Sequence, residues 1–254
     1  MWIDSHSHLN DQAYQDDYPA VIKAAVDNGI TAMLVVGYDL DSSRRAIALA
    51  KEYPMIWATV GVHPQDAKSW NTDAAAELTG LLAEPKVVAV GEIGLDYHYL
   101  DSSRDEQLKA FLEQIQLAKE YNKPIIIHDR EAHQDTYTVL NEGKLGPAGG
   151  VMHCFSGSRE LASGFLKLGL HISFAGPLTF TNAEKLRSVA AEIPLNRLLV
   201  ETDCPYLTPH PFRGRRNEPL RVALVGEKLA EVKQLPVDRV MEATIANTKA
   251  LFRI

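Results

Sequence analysis

Apolar positions along this chain follow two alternating patterns. Short runs rich in aliphatic and β-branched residues recur as MWIDSH (1–6), GITAMLVVG (29–37), MIWATVGVH (55–63), KVVAVGEIG (86–94), KPIIIHDR (123–130), GGVMHCF (149–155), LHISFAG (170–176) and RLLVETD (197–203). Between them, apolar residues space out at helical intervals. The clearest cases are DSSRRAIALAKEY (41–53) and SSRDEQLKAFLEQIQLAKEYNK (102–123). In the second, Leu108, Phe111, Leu112, Ile115, Leu117 and Ala118 form one stripe. Serine or aspartate precedes several helical segments, as an N-cap does. Pro85, Pro124 and Pro194 fall between helix and strand, where a missing N–H costs little.

Runs such as VVAV, PIIIH and LLV are apolar on both faces, which suits parallel strands covered by helices. Eight of them alternating with helices predict an α/β fold, a closed (β/α)8 TIM barrel forming a single domain over residues 1–254. A last helix at about 237–251 is expected on the outside. The competing arrangement is an open doubly wound sheet, but no G-x-G-x-x-G follows the first run.

Barrel enzymes carry their chemistry at the carboxyl ends of the strands. His6 and His8 end the first run, His63 the third, Glu92 the fourth, His128 the fifth, His153 the sixth and Asp203 the eighth. Any one of these is explained as a satisfied core or solvated residue. Seven at the same end of six strands need a common partner, because charged or imidazole groups buried alone cost several kcal/mol. A cation is such a partner. The donors His6, His8, His128, His153, Glu92 and Asp203 are too many for one tetrahedral zinc with an open position. They match two divalent ions about 3.5–4 Å apart sharing a carboxylate. The simplest assignment gives one ion His6, His8 and Asp203 and the other His128 and His153, with Glu92 bridging. Imidazole favours Zn, and the carboxylates admit Mg or Mn.

Composition adds bounds. Apolar residues make up 46% and charged residues 23%, an ordinary globular balance. The absence of a signal-like leader or a long apolar run predicts a soluble, cytoplasmic protein with no membrane association, and nothing calls for an obligate protein partner. Cys154 and Cys204 form no disulfide framework. Each neighbours a ligand candidate, so each is expected to face the other side of its strand as a small packing residue. The net charge of −7 argues against a broad polyanion-binding surface but not against a local basic patch. Arg213, Arg215 and Arg216 form one after the last strand. Arg130, two residues after His128, either grips an anion on the same face or pairs with Asp96 or Glu201. Glu201 is placed to orient a ligand from behind. His98, between Tyr97 and Tyr99, lies in a loop whose rings either stack on a base or pack. His133 and His171 read as structural, His210 as pocket-lining or packed between prolines, and Asn217 and Glu218 as caps of the next helix.

The ordered set DSHSHL, GVHP, GEIGLDY, PIIIHDR, MHCFSGS, VETDCPYLTP and RGRRNEP closely resembles the TatD family of metal-dependent hydrolases, deoxyribonucleases of the amidohydrolase superfamily. The resemblance runs from residue 3 to the terminal NTKALF. It implies a TIM barrel with a binuclear site in which His6, His8, Glu92, His128, His153 and Asp203 hold metal and His63 lies beside it. The implied activity is metal-dependent DNA hydrolysis, often 3′ to 5′ exonucleolytic, on single-stranded or frayed ends. Asp203, Glu92 and His63 are the catalytic candidates, and His63 together with Arg130, Arg213 and Arg215, the last three chosen by their position on the catalytic face, are expected to contact the substrate. A small-molecule amidohydrolase on the same metals, and a binding module whose metals only brace the barrel, are the competing readings.

Overall fold

Eight parallel strands form one sheet, hydrogen-bonded in sequence order from first to last. The computed structural model describes residues 1–254, the side chain of Lys144 excepted. The strands are β1 (Trp2–Ser7), β2 (Ile30–Val36), β3 (Ile56–Val60), β4 (Val87–Asp96), β5 (Ile125–Arg130), β6 (Gly150–Met152), β7 (His171–Phe174) and β8 (Leu198–Val200). Helices α1 (Tyr18–Asp27), α2 (Leu40–Glu52), α3 (Thr72–Leu82), α4 (Arg104–Glu120), α5 (His133–Val139), α6 (Arg159–Lys167), α7 (Glu184–Glu192) and α8 (Val222–Lys233) follow the strands in turn. This is the expected TIM barrel. The strict alternation, with both faces of each strand apolar, leaves the sheet no free face.

The seam between β8 and β1 closes through the segment just after β8. The Asp203 amide donates to the His6 carbonyl at 2.9 Å, and the His8 amide to the Cys204 carbonyl at 2.8 Å. Closure therefore sets two of the expected ligands in register with a third.

Helix α9 (Val237–Phe252) crosses the amino-terminal mouth of the barrel. The Asn247 amide donates to the carbonyls of Leu195 and Leu198 at the start of β8, and Arg253 donates to the Asn122 carbonyl just before β5. Leu251 and Phe252 join Ile3, Leu34, Ile126, Val151 and Leu199, drawn from five strands, in one apolar cluster. The larger cluster lies between strands and helices, and α4 contributes Phe111, Ile115 and Ala118 to it. Among the described residues no helix is long and apolar enough to cross a membrane.

Candidate metal centre

Two opposed strands carry an extra residue beside the site. On β1, Asp4 pairs with Met33 and Ser7 with Val35, so three steps along one strand face two along the other. On β4, Val90 pairs with Ile125 and Ile93 with Ile127, the same mismatch. Such bulges bend a strand and re-aim a side chain. His6 lies in the first and Glu92 in the second. Glu92 is thus not at the end of β4, where the sequence suggested, but inside it, with the strand running on to Asp96. Glycine makes the detour possible: a Cβ on Gly94, whose φ is +146°, would meet the His128 carbonyl oxygen at 2.0 Å.

The six expected ligands converge. Glu92, 4% exposed, divides its two oxygens between them. Its Oε2 lies 3.4 Å from His6 Nε2 and 3.7 Å from His8 Nε2. Those two nitrogens lie 3.2 Å apart, and Asp203 Oδ1 is 3.7 Å from the first and 3.3 Å from the second. Its Oε1 lies 2.8 Å from His128 Nδ1, 3.4 Å from His153 Nε2 and 3.7 Å from His63 Nε2. Ligand atoms of His6, His8 and Asp203 all fall within 4.8 Å of one another, as do those of His63, Glu92 and His128. His153 contacts the same Glu92 oxygen, and a third such group joins it to His6 and Glu201, so its ring stands between the two.

Hydrogen bonds behind the rings decide which of these nitrogens can bind a cation. His8 Nδ1 lies 3.2 Å from the Val36 carbonyl, which only accepts, so this nitrogen donates and Nε2 keeps its lone pair for the centre. His153 Nδ1 donates to Glu201 at 2.9 Å, with the same result. His128 donates from Nε2 to Asp96 at 3.2 Å and turns Nδ1 inward. Carboxylate or carbonyl anchors of this kind are what metal-ligating histidines use. His63 is wired the other way. Its Nδ1 accepts the Gln65 backbone N–H at 3.2 Å, so the neutral ring carries its proton on Nε2 and presents a donor to the centre. His6 Nδ1 is buried without a partner. The donor set suits a divalent cation: ring nitrogens of His8, His128 and His153 and two carboxylates are aimed inward.

Until a cation displaces them, the surrounding carboxylates favour protons on two of these rings. Burial works against a proton on His128, but Asp96 and Glu92 outweigh it and push the ring up to about 9. Burial likewise opposes a proton on His153, and Glu201 and Glu92 overcome it, raising it to about 10. Burial, helped by His128, holds His63 down to about 3. Burial raises the Glu92 carboxyl, yet the surrounding histidines, His153 and His63 foremost, hold it well below the ordinary range. Asp203 is lowered against the same burial penalty, chiefly by His8.

The centre opens into a cleft of about 690 Å³ lined by His63, Arg130, Tyr38, Tyr99, Tyr206 and Phe155 among others. Arg130 is exposed and lies over the Tyr99 ring at 4.7 Å. It pairs with neither Asp96 nor Glu201, which His128 and His153 already engage. Arg213 and Arg215 do not reach this cleft and line a separate hollow. Arg216 is committed to Asp17 at 2.7 Å. Tyr97 donates to Asp135, His98 lies 2.7 Å from Glu131, and His133 lies 2.8 Å from Asp129. Of the aromatic loop, only Tyr99 faces the cleft. His171 opens β7 at the far end of the barrel, and His210 is exposed outside the cleft.

Two expectations change. Cys154 was expected to face away from the centre, but with a φ of +42° just past β6 it lines the cleft, while Cys204 is buried as a packing residue. Asn217 was expected to cap a helix. It instead donates to the carbonyls of Thr202 at 3.0 Å and Tyr206 at 2.8 Å, bracing the turn that holds Asp203. Sequence reasoning also missed Asp96 as the anchor of His128, although GEIGLDY contains it. It missed Gln107 and Gln114 of α4 as well. Gln114 accepts from the Val62 N–H and donates to its carbonyl, and Gln107 does the same for Asp96, at 2.7–3.0 Å.

A TIM barrel with histidine and carboxylate donors gathered at the carboxyl ends of its strands defines the chain as a metal-dependent hydrolase. The chain belongs to the TatD family: the family model described as TatD related DNase matches residues 3–253. An uncharacterized metal-dependent hydrolase of Bacillus subtilis, YabD, is 47% identical over 254 residues, covering all of both chains. A protein of Edwardsiella piscicida named 3′-5′ ssDNA/RNA exonuclease TatD is 38% identical, with 99% of each chain covered. The crystal structure of the TatD homologue YjjV of Escherichia coli K12 superposes with a TM-score of 0.95 at 35% identity, covering 100% of this chain and 98% of that one.

Proposed function

We propose that this chain is a binuclear metal-dependent phosphodiesterase that shortens DNA from single-stranded or frayed ends, in the 3′ to 5′ direction. The observation that carries this reading is the division of Glu92, with one oxygen in each of two donor groups. His6, His8 and Asp203 would hold one divalent ion, His128 and His153 the other, and Glu92 would bridge them. Zinc, magnesium or manganese fits the donors. Bound there, such ions supply Lewis acidity and a water that gives up its proton near neutral pH.

The chain's own groups do the rest. Asp203, kept ionised, is placed to take the proton of the attacking water. His63 offers its Nε2–H to an oxygen of the scissile phosphate or to the leaving oxygen, and stays neutral while doing so. Arg130, laid on Tyr99, supplies a fixed positive charge for a non-bridging oxygen. Exposed Tyr206 and Tyr99 offer faces for unpaired bases. The named activity of the Edwardsiella relative supports the same reading.

The test is direct. Purified protein loaded with magnesium or manganese should shorten end-labelled single-stranded DNA, and His128→Ala should not. Equal shortening by the variant would assign the activity to a contaminant. The cleft's lining also includes Asp11, Asp96 and Asp129 against a single arginine, which favours a second reading, hydrolysis of a neutral amide on the same metals. Turnover of N-acyl amino acids with none of phosphodiesters would establish that alternative.

A further inference from the structure

The arginines outside the catalytic cleft have a place of their own. A hollow of about 410 Å³ adjoins the cleft across Leu207, which lines both, and its wall includes Phe180, Pro205, Thr208, Arg213 and Arg215. Pro205 stands two residues after Asp203, so the hollow begins where the ligand turn ends. We infer that it is a second anion subsite, which takes a phosphate next to the scissile one on an extended strand; the inference rests on the phosphodiesterase reading.

Three features support it. First, Arg213 and Arg215 are exposed and, among the described residues, have no carboxylate partner, although the chain carries a net charge of −7. Arg216 beside them shows what a committed arginine here looks like, with two bonds to Asp17 at 2.7 and 2.9 Å. Second, the free guanidinium groups are positioned. Arg213 lies 3.7 Å over the Phe180 ring and Arg215 5.8 Å from Phe212, contacts that orient a planar cation and leave its N–H edge available. The loop carrying them is tied down: the Thr208 hydroxyl donates to the Arg215 carbonyl at 2.5 Å, and the Asn217 amide N–H to the Pro205 carbonyl at 3.0 Å. Third, the catalytic cleft has one arginine of its own, Arg130, enough for a single phosphodiester. Two further uncommitted cations next door match a ligand with a further phosphate. The substrate class is therefore an oligonucleotide strand rather than a small isolated diester.

Fluorescence anisotropy of a labelled decathymidylate, measured on metal-free protein, reads binding without turnover. Each phosphate contact on a single strand contributes about 0.7 to the slope of log affinity against log salt, so the double variant Arg213→Ala, Arg215→Ala should lose about 1.4 in slope and roughly 5- to 20-fold in affinity. The matching Arg→Lys double variant should keep the slope and most of the affinity. Equal affinity and slope in the wild type and the alanine variant, or no binding by the wild type at low salt, would overturn the subsite. Cleavage is scored separately: if the metal-loaded wild type binds the strand through these arginines and leaves it uncut, the phosphodiesterase reading fails and the anion subsite stands.

Discussion

Asp96 Oδ2 lies 3.2 Å from Nε2 of His128, whose other ring nitrogen lies 2.8 Å from Glu92. The carboxylate thereby fixes the orientation of a candidate ligand. Losing such an anchor typically weakens metal binding about 10- to 100-fold. Asp96→Ala should show a loss of that size in a calorimetric zinc titration, confined to the ion that His128 would hold. Unchanged affinity would mean that His128 is positioned by packing alone.

His63 stands as near Glu92 as the ligands do, but offers a proton. His63→Ala should therefore retain its metal while turnover of DNA falls by about 10²–10³-fold, the range for losing a proton donor or a hydrogen bond made in the transition state. Elemental analysis of the dialysed variant separates the roles. A missing ion would make His63 a ligand.

Metal affinity should rise with pH. With folded pKa values pushed up to about 9 and 10, His128 and His153 are protonated at pH 7, and a cation must displace those protons to reach Nδ1 and Nε2. Affinity should climb between pH 6 and 9 with a slope of up to about two decades per pH unit, the two rings titrating as a coupled pair, and level off above about pH 10. Zinc titrations across that range, with proton release read from buffers of different ionisation enthalpy, check the sign. Affinity independent of pH would show that the rings are neutral beforehand.

Gln114 is buried in α4 and satisfies both the N–H and the carbonyl of Val62, the residue before His63. Gln114→Ala leaves both peptide groups unpaired in the core and should cost about 1–3 kcal/mol, observable as a lower urea midpoint at unchanged slope. A loss under about 0.5 kcal/mol would mean that water replaces the side chain.

How far the sequence carried the argument depended on the range of each interaction. Alternating apolar runs set the barrel, and the reading of its strand ends picked out six side chains that the fold brings together, though Glu92 lies inside β4 and not at its end. The bulge around Glu92 was not legible, since it exists only relative to β5. Nor was the carbonyl of Val36 behind His8, a backbone atom 28 residues away. Asp96 was visible as a residue but not as an anchor, because its partner lies on the neighbouring strand. Arg213 and Arg215 were legible as a basic cluster after the last strand, but not the separate hollow that they line. The path of that loop is set by Asn217 and Thr208, whose partners are backbone carbonyls.

The division of Glu92 between two groups of donors is the claim on which the proposed chemistry rests, and counting ions tests it most directly. Elemental analysis of protein loaded with zinc and dialysed should return about two ions per chain for the wild type and at most one for Glu92→Ala. A single ion in the wild type, or two retained without the Glu92 carboxylate, would contradict the shared-carboxylate centre.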